Sequence, residues 1–486
     1  MSGLSRRAFL GGSGALAATA VFGACGGGGG GDGAGGQGGG GGGGEGMRWW
    51  DHYSALQGFH KDWAAQQSKA LGANITYTYN DVTKAAQALQ LANQSQQLPD
   101  IYSNTLGLPL SALVKDKWVG EITMSAEAKA RLPKGSFTDG VTNLDNKLYG
   151  LPLFAFRQYS TATWFNSEII AKAGIDGDNP PATYDDYRAA CKKIKDLGSG
   201  ASAMTLALGD PVRMRDQMDD LAQAGGFAGF QGLKFTTGEY AYDDDAYVNA
   251  IEFWKEMNTD GYIVQGSSNF TVANARTRWA SGAAGFFIDG PWCAGGVKRI
   301  VEAFVPKLNV GPILKPEATG KVTTYRGAPG AQFFLAGNSK DPEKASKLLE
   351  SMTTPEYQKG LATGMDQPPL NLDVVATADV IEPYKKVIGF FKETVKAAPQ
   401  ALIKNPQVAQ AQALSKPIST QLGNVIQGYL GGDIPDLKVA LRKLNSDYEK
   451  DREQAIKAAN AKGAKVSVDD YAFSDWKPGT DYTHSS

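Results

Sequence analysis

Histidine and cysteine are almost absent from this sequence, with three of each in 486 residues. His52, His60 and His484 stand far from the cysteines, and no cluster of the two types has metal-ligand spacing. No metal is therefore expected. Catalytic signatures are missing as well. There is no Gly-x-Ser-x-Gly elbow, no phosphate-cradling Gly-x-x-x-x-Gly-Lys loop and no His-Glu-x-x-His. A secreted glycoside hydrolase is the enzyme reading that stays open, because it needs only a carboxylate pair. Charge of one sign is not in excess: 49 Lys and Arg face 50 Asp and Glu, a formal net charge of −1. That balance argues against nucleic acid or an anionic bilayer as partner. No run is apolar for the 20 or so residues that a membrane helix needs. No internal repeat is visible.

Glycine, by contrast, is abundant, and it is concentrated near the N-terminus. Arg6 and Arg7 precede an apolar, Gly/Ala-rich stretch from Leu10 to Phe22. This matches the charged and apolar regions of a signal peptide and is too short to span a bilayer. Ser5-Arg6-Arg7-Ala8-Phe9-Leu10 resembles a twin-arginine export signal, and Gly23-Ala24-Cys25 resembles the end of a bacterial lipobox. Phe22 departs from the usual aliphatic residue there. Lipidation is therefore expected at Cys25, with residues 1–25 as signal peptide and residues 26–46 as a glycine tether. Such a tether has almost no apolar surface to bury and maximal backbone freedom.

From Met47 onward the composition is that of a folded protein. Roughly 440 residues exceed what one core organises, so two lobes are expected. Cys191 and Cys293 can pair in an oxidising compartment. Cys191, however, lies on the apolar helical face Tyr187, Ala190, Cys191, Ile194, Leu197, where it reads as a small buried hydrophobe. His60 sits one residue off the apolar stripe Leu56, Phe59, Trp63 and reads as a surface residue.

Strand and helix signals alternate. Met47 to Trp50, Ile75 to Tyr79 and Leu98 to Ser103 read as strands, with helices over His52 to Leu71 and Thr83 to Ser95. This order predicts an α/β fold with parallel-rich sheets and right-handed crossovers. Thr183, Asp341 and Thr354 are predicted helix caps, the last two each followed by Pro and Glu. Ala413 to Ala459 reads as helical with a break at Gly431-Gly432. Residues 474–486 read as a loose polar tail.

Aromatic and hydrogen-bonding residues recur at the carboxyl ends of predicted strands, where ligands collect in open α/β sheets. They are Trp50, Asp51 and His52 after the first strand, and Asn104 after the third. Phe154 to Tyr159, including Arg157, and Asp289 with Trp292 follow two later apolar strands. Flat aromatic faces beside polar tips suit sugars.

Several stretches together resemble a known family. Leu148-Tyr149-Gly150-Leu151-Pro152 looks like its Tyr-Gly-x-Pro strand. Trp164 to Ile175 and Pro180 to Tyr187 are similar to its segment with Ala-Gly and Pro-Pro-x-Thr. Trp279 to Phe286 and Asp341 to Leu361 resemble two further motifs, in the right order. The family is that of extracellular solute-binding proteins serving carbohydrate importers, the maltose-binding-like group.

The resemblance implies two α/β lobes joined by hinge strands, a ligand held between them, and neither catalysis nor cofactor. It also implies a monomer that delivers its ligand to the permease of an ABC importer. By its pattern one lobe holds 47–156 and 285–329, and the other 157–284 and 330–473. The cleft loops would be Trp50 to His52, Asn104 to Leu106, Phe154 to Trp164, Gly209 to Gln217, Asp289 to Cys293 and Gly364 to Leu370. They add Trp164, Arg213 and Gln367 to the candidates. A sugar or oligosaccharide is the expected ligand. Arg157, Arg213 and Arg215 would equally welcome a sugar phosphate, and Asp51, Asp289 and Asp366 a polyamine; a polyol is the neutral alternative.

Overall fold

The computed structural model describes residues 46–482 apart from 318–319 and 417. The signal sequence, Cys25 and nearly all of the glycine tether lie outside the described residues, as does His484.

Two sheets organise the chain. The first has the spatial order Ile75–Tyr79, Met47–Asp51, Ile101–Ser103, Phe333–Leu335, Gly150–Leu151. Its first three strands are parallel, and Phe333–Leu335 runs antiparallel to both neighbours. The second has the order Leu308–Gly311, Ala162–Asn166, Ala284–Asp289, Ser202–Thr205. There Ala162–Asn166 is antiparallel to both neighbours, and the last two strands are parallel. Antiparallel strands thus enter where the chain first crosses to the second sheet and where it returns.

Helix starts follow local chemistry. Thr183 accepts from the Asp186 amide (3.1 Å), Asp341 from Lys344 (3.0 Å) and Thr354 from Tyr357 (3.3 Å). Each satisfies an amide that the helix leaves unpaired. The helix Tyr184–Asp196 buries Tyr187, Ala190, Cys191 and Ile194, while Leu197 stays exposed. Cys191 and Cys293 are both buried and free.

Each sheet has its own core. Trp49, Phe333, Leu348, Leu349 and Tyr357 belong to the first. Trp164, Phe165, Trp254, Trp279 and Phe286 belong to the second.

Several expectations are corrected here. Residues 284–311 build the second sheet, not the first, because Ala284–Asp289 pairs with Ala162–Asn166 and Ser202–Thr205. Residues 333–361 return to the first sheet, whose core takes Ala345, Leu348, Leu349 and Met352 of the helix Pro342–Ser351. Which sheet a strand joins depends on partners more than 100 residues away, and periodicity carries no such information. Among the described residues of 413–421 none is helical; helices run over Leu422–Gly431 and Leu437–Asn460. The tail is not loose over its described residues: Trp476 is buried against Phe235 and Tyr325, and beyond it Gly479 N donates to Tyr325 Oη (2.9 Å) and Asp481 pairs with Arg157 (3.1 Å). His60 is fully buried, bonded to Asp51 through Nδ1 and to Tyr357 Oη through Nε2 at 2.9 Å. The polar partners, not the helical stripe, draw it inward.

Candidate functional site

The chain passes between the sheets three times: over residues 152–161, 312–332 and 364–381. A cavity of about 300 Å³ lies where these passages meet. Gln158, Tyr159 and Ser160 come from the first, Arg326 from the second and Gln367 from the third. Arg213, Asp216 and Asp219 come from the helix Pro211–Ala224, and Phe230 and Trp292 complete the lining.

The helix begins at Asp210, whose carboxylate accepts the Arg213 amide (3.1 Å), with Pro211 at its first position. Arg213, Asp216, Asp219 and Asp220 recur at three- to four-residue intervals, which gathers them on one side. Met214, Met218, Leu221 and Ala222 bury themselves in the core of the second sheet. The polar side then stitches the passages together. Asp220 accepts Ser160 N (2.7 Å) and Oγ (2.8 Å), Thr161 Oγ1 and the Arg326 guanidinium. Gln223 Oε1 accepts Tyr325 N (3.0 Å) and Arg326 Nη1 (3.1 Å). Gln158 Nε2 donates to Gln367 Oε1 (3.3 Å), joining the first passage to the third.

Trp292 is aimed by a chain of contacts. Its Nε1 donates to Asp289 Oδ1 (2.7 Å), while Arg276 holds Asp289 Oδ2 (2.5 Å). The Arg213 guanidinium lies 4.6 Å from the Trp292 ring centroid, a cation–π stack. A Cβ at Gly290 would lie 2.3 Å from the indole, so only glycine fits beneath that ring.

Among the described residues that line the cavity, four polar atoms are buried without a partner: Gln158 Oε1, Tyr159 Oη, Asp219 Oδ2 and Arg213 Nε. Arg213 forms no ion pair among the described residues, whereas Asp216 is held by Arg215 (2.7 Å) and Arg326 by Asp220. Asp219 is buried with Oδ1 bonded to Tyr247 Oη. Burial pushes its carboxyl up to about 7; the Tyr247 hydrogen bond opposes this and the Asp220 charge adds to it. Burial also raises Asp216, against the pull of Arg215. The cavity thus offers two unpartnered acceptors, a phenol hydroxyl, one cationic donor and three aromatic rings, a set that suits a polyhydroxylated molecule. Among the described residues no group of His, Cys, Asp and Glu is arranged to hold a metal.

Of the residues expected at a ligand site, Tyr159, Arg213, Trp292 and Gln367 come together here. The others lie elsewhere. Trp164 is fully buried, its Nε1 donating to the Asp289 and Gly290 carbonyls (both 3.1 Å). Asp289 is buried and orients Trp292 rather than facing the cavity. Arg157 is turned away onto Asp481 (3.1 Å) and the Val395 carbonyl. On the first sheet, Asp51 is buried among His60, Tyr77 and Tyr53 N, and Phe154 packs edge-on against Tyr53. His52 shares a hydrogen bond with Ser103 Oγ (2.7 Å), Asn104 donates to the Ala331 carbonyl (3.2 Å), and Trp50 packs with the Tyr102 and Phe334 cluster. A polar residue at a strand end is thus as readily consumed by its own lobe as offered to a ligand.

Gln158, Ser160 and Asp216 lie within the expected cleft loops but were not singled out; Asp219, Phe230 and Arg326 lie outside them. The helix carried a readable signal: charged residues spaced by three and four opposite a methionine and leucine stripe. Phe230 and Arg326 carried none.

Two lobes, each built on its own sheet, with a polar and aromatic cavity where the linking passages meet, define a solute-binding protein of the two-lobe type. Sequence comparison agrees: residues 62–386 match the bacterial extracellular solute-binding protein family, and the chain belongs to it. It is similar to the maltooligosaccharide ABC transporter solute-binding lipoprotein of Streptococcus pneumoniae, 25% identical over 372 residues, 75% of this chain and 80% of that one. The sn-glycerol-3-phosphate-binding periplasmic protein UgpB of Agrobacterium fabrum is 23% identical over 270 residues, 55% of this chain and 58% of that one. In fold, the chain is similar to the sugar-binding protein MalE from Xanthomonas citri, with TM-score 0.59, 18% identity, and coverage of 86% of this chain and all of that one.

Proposed function

We propose that this chain captures a neutral sugar or short oligosaccharide in the 300 Å³ cavity and delivers it to the permease of an ABC importer. Binding is stoichiometric, without turnover or cofactor, and the lobes close on the ligand about the three passages. The protein acts as a monomer on the outer face of the cytoplasmic membrane, exported through Arg6-Arg7 and held by a lipid on Cys25. Among the described residues no helix is long and apolar enough to cross a membrane.

The observation that carries this reading is the set of unpartnered atoms at the cavity. Gln158 Oε1 and Asp219 Oδ2 accept hydroxyl protons, Arg213 Nε donates, and Trp292 and Phe230 supply apolar faces. The likeness to a maltooligosaccharide receptor supports it. A sugar phosphate is the second reading, favoured by the unpaired Arg213 and by the glycerol-phosphate-binding relative. Against it, Arg326 is spent on Asp220 and Arg215 on Asp216, while Asp219 stands beneath the same cavity. Among the described residues lining the cavity, a phosphate would meet Arg213 as the one cation outside an ion pair, and a carboxylate.

A thermal-shift screen with maltotriose, raffinose, glycerol 3-phosphate and putrescine decides between them. A hundredfold excess over Kd stabilises the folded protein by about 2.7 kcal/mol. The neutral sugars are expected to raise the melting temperature and the charged probes to leave it unchanged. Stabilisation by glycerol 3-phosphate alone would overturn the neutral-sugar assignment, and release of new reducing ends from maltotriose would overturn the non-catalytic one.

A further inference from the structure

We infer that the C-terminal segment 473–482 is a strap that holds two of the three inter-lobe passages and thereby sets the shape of the cavity wall. It goes beyond the binding reading and depends on it only for the consequence in affinity.

The strap starts where Phe473 N donates to the Phe235 carbonyl (2.8 Å). Trp476 follows, only 4% exposed, its ring standing edge-on to Phe235 (5.1 Å) and to Tyr325 (5.0 Å). Gly479 N donates to Tyr325 Oη at 2.9 Å. Asp481 then clasps two segments at once. Its carboxylate takes Arg157 Nη2 on both oxygens (3.1 Å each) and the Ala397 amide (2.7 Å). Tyr482 N closes the strap on the Ala397 carbonyl (2.9 Å).

The attachments at Arg157 and Tyr325 are one residue from the cavity lining. Arg157 immediately precedes Gln158, Tyr159 and Ser160. Tyr325 immediately precedes Arg326, in the strand Thr324–Arg326 that pairs with Val395–Ala397. Phe230, a lining residue whose ring lies 5.4 Å from the Arg326 guanidinium, packs against the same cluster as Trp476. No strap residue lines the cavity itself, so Trp476 and Asp481 are positioning residues. They tie the first passage to the second from outside, opposite the ties that Asp220 and Gln223 make from inside. Without the strap, Arg157 keeps the Val395 carbonyl and Tyr325 keeps Gln223, but the first passage loses its carboxylate partner and the second its contacts with Trp476 and Gly479, so both are held on one side only.

Hydrogen–deuterium exchange on the full-length, ligand-free protein tests this. Asp481→Asn and Trp476→Ala are compared with the wild type. Asp481 is partly exposed, so its substitution leaves the cores intact. Exchange over 153–161 and 322–328 is expected to rise at least threefold, while the strands Ala162–Asn166 and Ala284–Asp289 keep their protection. Restoring only the 157–481 ion pair with reversed charges, Arg157→Asp with Asp481→Arg, is expected to return part of the protection at 153–161, which neither single change does. Unchanged exchange at both passages, uniform loosening of the whole second lobe, or no rescue by the charge reversal would each overturn the strap. No ligand enters the measurement, so its failure is distinct from failure of the sugar-binding proposal.

Discussion

The most demanding prediction concerns Asp219. Its carboxyl is buried beneath the cavity and pushed from 3.8 to about 7, chiefly by burial. In the unfolded chain it returns to the ordinary value. The folded state therefore holds this proton more tightly than the unfolded one, and the sign follows from linkage. Below about pH 4 both states are protonated and the group costs nothing. Between about pH 4 and pH 7 the unfolded chain ionises first, so stability falls as pH rises. Above about pH 7 the loss is complete. A gap of about three pH units, at about 1.4 kcal/mol each, sets the loss on the order of 4 kcal/mol. Asp219→Asn removes the ionisation but keeps an oxygen for the Tyr247 hydroxyl. The variant should match or trail the wild type at pH 4 and gain on it by up to about 4 kcal/mol by pH 8. Urea denaturation of the ligand-free proteins at several pH values reads this difference directly, with other titrating groups cancelling in the comparison. A variant-minus-wild-type difference that stays flat from pH 4 to pH 8 would refute the reasoning. The same proton also links to function. A ligand hydroxyl donated to Oδ2 favours the ionised carboxylate, so sugar binding near pH 7 should release protons.

Two further outcomes are expected. Trp292→Ala should weaken sugar binding at least tenfold, about 1.4 kcal/mol, with a modest loss of ligand-free stability because the ring is only half-buried. Calorimetric titration and melting of the same preparation separate the two; a loss of about 3–5 kcal/mol in stability with unchanged affinity would return Trp292 to a core role. Cys25→Ser should move the protein from the membrane fraction to the soluble fraction, and a variant that stays with the membrane would refute the lipid anchor.

How much of this was legible before folding depends on the distance over which each feature is encoded. Thr183, Asp341 and Thr354 cap helices within three residues of themselves, and they were readable as such. The strands Met47–Asp51 and Ile75–Tyr79 follow from residue type and alternation. Tyr159, Arg213, Trp292 and Gln367 were reachable because each lies in a loop, passage or helix start that the family pattern marks as cleft. Trp164 and Asp289 satisfy the same pattern, yet they are buried, because a hydrogen bond from the Trp164 indole and an ion pair with Arg276 turn them inward. Nothing near Phe230 or Arg326 announces a site. His60 was misread as a surface residue for the same reason: Asp51 and Tyr357, which bury it, lie nine and 297 residues away.

By itself, the sequence determined the alternation of strands and helices, the caps that start the helices, and the absence of the histidine and cysteine chemistry that most alternatives need. The expected export and lipidation signals at Arg6, Arg7 and Cys25 likewise rest on the sequence, in two short motifs near the N-terminus. The tertiary structure alone decided that 284–311 joins the second sheet, that 333–361 returns to the first, and that 473–482 straps the passages between them. It also decided which six separate segments, around 158, 213, 230, 292, 326 and 367, share one cavity. Caps and periodicities act through neighbours three or four residues apart, whereas a cavity between lobes is defined by surfaces that become neighbours only after both cores have formed.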